Sequence, residues 1–164
     1  MKKVICVILL CVLCACSGER AVSAQMRSIS FTAATAFEEE LFECDVTVDE
    51  NGDCSMKLRT PTELSGLEFK CTATEFTASF LGLTYSPRIE DLPSGAVAKI
   101  LYELISDASL TKRLPESRDG NYLLCGSTEL YGYSLTLAPS GLPICAEIPD
   151  IGMKIDFKNV TVLK

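Results

Sequence analysis

Nine cysteines and not one histidine set the terms for any chemistry this 164-residue chain performs. A thiol or hydroxyl nucleophile needs a base within hydrogen-bond reach. Without imidazole the Ser-His-Asp and Cys-His arrangements are closed, and a Ser-Lys pair is the formal exception. No Gly-x-Ser-x-Gly elbow precedes a helix, and no phosphate- or dinucleotide-binding glycine pattern occurs. Five cysteines lie beyond the N-terminal twenty residues: Cys44, Cys54, Cys71, Cys125 and Cys145. Their spacing is long and irregular, which does not suit a zinc site, and their odd number leaves at least one free thiol in a monomer. The stretch Asp49–Asp53 (DENGD) opens like a calcium-binding loop, but the twelfth position, which should be a bidentate glutamate, is Thr60. A solvated turn is the plainer reading. No catalytic residue, metal or cofactor is expected, and the protein reads as a non-enzyme.

The N-terminus is more informative. Lys2 and Lys3 precede an apolar and cysteine run, Val4–Ala15, of twelve residues. A bilayer-spanning helix needs roughly 20, so the run reads as an export signal. Leu13-Cys14-Ala15-Cys16 resembles the bacterial lipoprotein signal, in which the last cysteine takes a diacylglyceryl group and becomes the new N-terminus. The resemblance implies a leader over residues 1–15, lipidation at Cys16, a lipidated linker over 16–28 and a single domain over 29–164. Two or three acyl chains anchor firmly where one tethers reversibly. The location that follows is the extracytoplasmic face of the cell membrane. The other reading is an ordinary secretory leader cut after Ala15 or Ala24.

The formal charge is −7, and −9 once Lys2 and Lys3 are removed. Such a body repels anionic lipid and nucleic acid alike, so its membrane partnership runs through the anchor.

Further along, apolar and polar residues alternate in short runs separated by turn signals, the pattern of an antiparallel meander with one buried face. Val46 and Val48 lead to Asn51-Gly52. Cys54, Met56 and Leu58 follow, then Leu67, Phe69 and Cys71, then Phe76, Ala78 and Phe80. A hairpin closed across Thr60–Ser65 pairs residues whose numbers sum to 125, setting Leu58 opposite Leu67, Met56 opposite Phe69 and Cys54 opposite Cys71. The last pair is either a disulfide or two buried thiols. Upstream, Ile29–Glu43 opens with strand-like residues, but Ala33–Glu43 has helical propensity, and a short helical segment is expected there. Val97, Ile100, Leu101, Leu104 and Ile105 recur at helical spacing with Lys99, Glu103 and Asp107 opposite. Leu110–Asn121 reads as a polar connection. Strands resume through Tyr122–Leu124, Leu130–Leu137, Leu142–Ile148 and Met153–Phe157, where Tyr133, Leu135, Ile155 and Phe157 share the inward face.

Eight to ten strands and one helix predict a mainly β domain of α+β class. The expected architecture is a strongly curved, unclosed antiparallel sheet, a half-barrel, with the helix packed on its concave face. The candidate ligand face is Met56, Leu58, Phe69, Phe76, Phe80, Tyr133, Leu135, Ile155 and Phe157. The helix either fills this face as a core or covers it as a lid over an acyl-sized pocket.

Four motifs in order carry a family resemblance: Gly52-Asp53 opening a strand, Ser55–Phe69 (SMKLRTPTELSGLEF), Leu81–Tyr85 (LGLTY) and Ser140–Pro143 (SGLP). Together they resemble the outer-membrane lipoprotein carrier/LppX-like (LolA-like) superfamily over about Phe31–Val162. The resemblance implies an unclosed, strongly curved antiparallel sheet with helices plugging its concave face, and a role in carrying lipid or the acyl chains of lipoproteins. The expected function is therefore a non-catalytic, membrane-anchored envelope lipoprotein that binds a hydrophobic ligand or acyl chain between sheet and helix. A structural or protein-interaction domain with a filled core stands beside it.

Overall fold

The computed structural model describes residues 21–37, 40–93 and 95–164. The leader and Cys16 lie outside them. Eleven strands form one antiparallel sheet: β1 Ile29–Phe37, β2 Glu40–Val48, β3 Cys54–Thr60, β4 Glu68–Cys71, β5 Phe76–Phe80, β6 Leu83–Tyr85, β7 Glu116–Arg118, β8 Asn121–Ser127, β9 Gly132–Leu137, β10 Pro143–Ile148 and β11 Met153–Val162. Between β6 and β7 runs one helix, α1, Val97–Leu110. The pairing order is β6-β5-β4-β3-β2-β1-β11-β10-β9-β8-β7. Two meanders, β1 to β6 and β7 to β11, are thus joined edge to edge by the first and last strands.

The mainly β, one-helix composition stands, but the strongly curved half-barrel does not. The strands pair in a single linear order with free edges at β6 and β7, and the sheet is neither closed nor strongly curved. Strong curvature is built from repeated bulges and glycine kinks. Here the ladders shift register between Ser30 and Thr32, Glu43 and Cys44, and Pro143 and Cys145, with one further bulge at Gly66 before β4.

Ala33–Glu43, where a short helical segment is expected, belongs over its described residues to strands β1 and β2, which pair with each other. Local propensity loses to position: β1 is central, with Ala33 opposite Cys44 on one side and Phe157 on the other. Ile29, Phe31 and Ala33 are buried on the inner face, and Phe31 meets Phe157 edge-on at 5.1 Å. The stretch read as linker is also partly built into the domain. Val22 bridges to Arg113, and Ala24 and Met26 are buried in the core. A short strand, β7, lies within the polar connection after α1.

The register predicted for β3 and β4 holds, with Cys54 opposite Cys71 and Met56 opposite Phe69. Leu58 N–H donates to the Leu67 carbonyl at 2.8 Å, and Gly66 N–H donates to the Leu58 carbonyl at 2.9 Å. With Gly66 at φ +89°, this is a bulge that only glycine enters without strain. Asp49 holds the β2–β3 turn: its Oδ1 accepts from the N–H groups of Asn51, Gly52 and Asp53 at 2.8–2.9 Å.

Candidate apolar ligand site

Alternation along β2 to β5 points Phe42, Cys44, Met56, Leu58, Phe69 and Phe76 to one side of the sheet. Above them the start of α1 supplies Val97 and Leu101, one helical turn apart. Between these walls lies an apolar cavity of about 610 Å³. The room comes from small residues: Gly95, Ala96 and Ala98 over the top and Ala78 on β5 below. Leu64, Leu92 and Tyr85 complete the rim, where Glu40 is the one charged group among the described residues. A volume of this size lies within the range of about 300–1,000 Å³ typical of small-molecule sites.

The other half of the same face is solid. The second half of α1 buries Leu104, Ile105 and Ala108 in one cluster with Leu124, Leu135, Leu137, Ile148 and Ile155. Close packing is what an interior does by default, so the open half is the feature to explain. Of the nine residues expected on the ligand face, Met56, Leu58, Phe69 and Phe76 line the cavity. Leu135, Ile155 and Phe157 belong to the filled core, and Phe80 is half-buried outside the lining. Phe42, Leu67, Tyr85, Leu92 and the small residues of α1 escaped the sequence reading. Phe42 and Leu67 have the inward parity of their strands and were legible in principle. Which part of the face the helix leaves uncovered was not.

Tyr133 serves a different purpose. Its hydroxyl donates to Asp107 Oδ2 at 2.6 Å, while Arg113 donates to that same oxygen at 2.7 Å and to the tyrosine oxygen at 2.9 Å. Thr111 Oγ1 donates to Asp107 Oδ1 at 3.3 Å. The guanidinium also lies 5.7 Å from the centre of the Tyr133 ring. Burial, then the neighbouring Asp107 carboxylate, pushes the Tyr133 phenol up, so it stays protonated as a donor. The trio pins the end of α1 to β9. It fits because Gly126 lies beneath it: a Cβ there would sit 2.3 Å from Tyr133 Cζ and 2.7 Å from Arg113 Nη1.

Lys99 departs from the expected solvent side of α1. It is buried, with Nζ donating to the Leu92 carbonyl at 3.3 Å, and ties the preceding loop over the cavity. A second, more open groove beside α1 holds Glu103, whose buried Oε2 has no hydrogen-bond partner among the described residues. Burial pushes its carboxyl up, against the pull of Lys99.

Three of the five thiols, Cys44, Cys54 and Cys71, are inert by placement. Burial pushes Cys44 and Cys71 up to about 12 and raises Cys54 as well. Both Cys54 and Cys71 are free thiols. Leu58 turns its N–H toward the β4 side, and counting in twos along β3 gives Cys54–Cys71 the hydrogen-bonded phase, in which Cβ atoms stand farther apart, toward about 5.5 Å. A disulfide wants them within about 4.5 Å. Iodoacetamide is therefore expected to label exposed Cys125 first and Cys145 next, and to reach Cys44, Cys54 and Cys71 only on unfolding. Mass spectrometry of the unreduced, unfolded chain should count all five. A count of three, with Cys54 and Cys71 the two left unlabelled, would mean that they are bridged.

Two comparisons add little and one adds a fold. No protein-family model matches the chain, and no curated protein matches it. Among solved structures it is similar to a LolA-superfamily protein from Nitrosomonas europaea, with a TM-score of 0.50 and 14% identity over 87% of this chain and 89% of the other. At that identity the likeness concerns the fold. What this chain brings to the likeness is one broad antiparallel sheet with a helix on one face.

Proposed function

We propose that this protein is a non-catalytic, membrane-anchored envelope lipoprotein, lipidated at Cys16, that binds a hydrophobic ligand or acyl chain between β2–β5 and the start of α1. The observation that carries the reading is the apolar cavity of about 610 Å³, left open in a domain that packs the rest of the same face solidly. Its lining has few polar groups and suits a chain rather than a polar metabolite; Glu40 and the Tyr85 hydroxyl lie near where a headgroup would emerge. The lipoprotein-type leader supports placement at the extracytoplasmic membrane face, and the LolA-like fold supports an acyl ligand. The thiol and phenol of the lining, Cys44 and Tyr85, have no hydrogen-bonded base among the described residues, which supports binding without turnover. Native mass spectrometry of the protein purified from its own membrane tests the reading, since a bound amphiphile leaves with the protein as a discrete added mass.

A further inference from the structure

The tip of the β5–β6 hairpin breaks two rules at once. Its two-residue loop, Leu81-Gly82, has φ of +51° and +81°, the signature of a type I′ turn. The first position of that turn favours Asn, Asp or Gly, and a branched apolar residue there is strained. Leu81 is nevertheless the residue present, and it is 86% exposed, with Leu83 at 76% and Tyr85 at 66% beside it. Phe76–Pro87 carries no charged side chain, in a chain where 23% of residues are charged. A polar residue in place of Leu81 would suit both the turn and the solvent. Strain kept at an exposed apolar tip points to a contact that the isolated domain does not show.

We propose that the Leu81–Tyr85 hairpin docks on the surface of the lipid bilayer and sets the mouth of the cavity against the membrane. The inference rests on the anchored, ligand-binding reading above. Two observations select the bilayer as occupant. Tyr85 belongs to the hairpin and to the cavity rim alike, so a chain leaving the membrane beside the hairpin reaches the cavity without crossing water. Only four residues separate Cys16 from Ala21, and the five steps between them reach about 17 Å, so a lipidated chain keeps the domain next to the headgroups. Because the hairpin is uncharged, the docking requires no anionic lipid and escapes the repulsion that the acidic body would meet.

The chain contains no tryptophan, so a single Leu83→Trp substitution gives a unique reporter. The full lipidated protein is reconstituted in phosphatidylcholine vesicles with and without brominated acyl chains. Bromine is expected to quench Leu83→Trp at least about twofold and to spare Ser117→Trp on the opposite sheet edge. Adding Leu81→Asn should bring the Leu83→Trp quenching down to the Ser117→Trp level and raise the melting temperature, because Asn-Gly is the preferred type I′ pair. Leu83→Trp emission that is unquenched, or that is blue-shifted yet insensitive to bromine because protein covers the hairpin, would overturn the proposal. So would Leu81→Asn that stabilises the protein and leaves quenching unchanged. Binding of an acyl probe, measured on the same samples, separates this from the ligand reading: probe bound with no quenching sinks the docking alone, and quenching with no probe bound sinks the ligand site alone.

Discussion

Replacing Ala78 by phenylalanine is expected to weaken binding of a fluorescent acyl probe by at least about tenfold while holding or raising stability. Ala78 is half-buried on β5, opposite Phe69 on one side and Tyr85 on the other, and its methyl group faces the cavity. A benzyl ring there occupies the space a chain would take, and at about 0.8 kcal/mol per buried CH₂ the loss of two methylene sites already amounts to tenfold. Filling a void also restores dispersion contacts, and cavity-filling substitutions commonly contribute about 0.5–2 kcal/mol. The control is the same change in the filled half of the sheet. Ala146 on β10 lies between Leu135 and Ile155 and is fully buried. Ala146→Phe overpacks a solid core and should cost about 1–3 kcal/mol or more in urea melts. Equal destabilisation by the two would mean that the Ala78 side is packed as tightly as the Ala146 side, and the cavity would have no room for a ligand.

Removing the Asp107 carboxylate should give the larger loss of stability. Asp107→Ala leaves Arg113 and the Tyr133 hydroxyl without their shared acceptor in a pocket where the Arg113 side chain is only 18% exposed. Breaking a buried pair costs about 3–5 kcal/mol. Some solvent reaches this one, so about 2–3 kcal/mol is expected. Gly126→Ala should produce a loss of the same order from the opposite side of the trio, since its Cβ displaces the Tyr133 ring. Because both changes dismantle one network, the double variant should cost clearly less than their sum. Simple additivity in urea denaturation would show that Gly126 acts elsewhere. Acyl-probe binding should survive either change in the folded fraction, because none of the trio lines the cavity.

Legibility followed the range of the interactions. The β3–β4 register could be read down to individual pairs because alternation and a short loop fix it locally. Helix α1 could be read because Val97, Ile100, Leu101, Leu104 and Ile105 mark one stripe. Strand β1 could not. Ala33, Ala34 and Ala36 among Thr32 and Thr35 carry no strong period, and the strand exists because Met153–Val162, more than a hundred residues away, pairs with it. Curvature was misjudged for a related reason. Alternation tells which side of a strand is buried, and says nothing of how far successive strands turn. The cavity was half legible: inward parity identified Met56, Leu58, Phe69 and Phe76 as wall residues. The position at which α1 crosses decided that Leu135, Ile155 and Phe157 are core instead. The small residues that keep the site open, Gly95, Ala96 and Ala98, look in sequence like an ordinary helix start.

The measurement that bears most directly on the account is the native mass of the lipidated protein, purified from its own membrane and compared with Ala78→Phe prepared alike. The wild-type protein is predicted to carry one non-covalent amphiphile above its covalently lipidated mass, and Ala78→Phe to fly without it. A wild-type protein that shows only its covalent mass, and that fails to take up an added acyl probe, would contradict the assignment of the cavity as a ligand site.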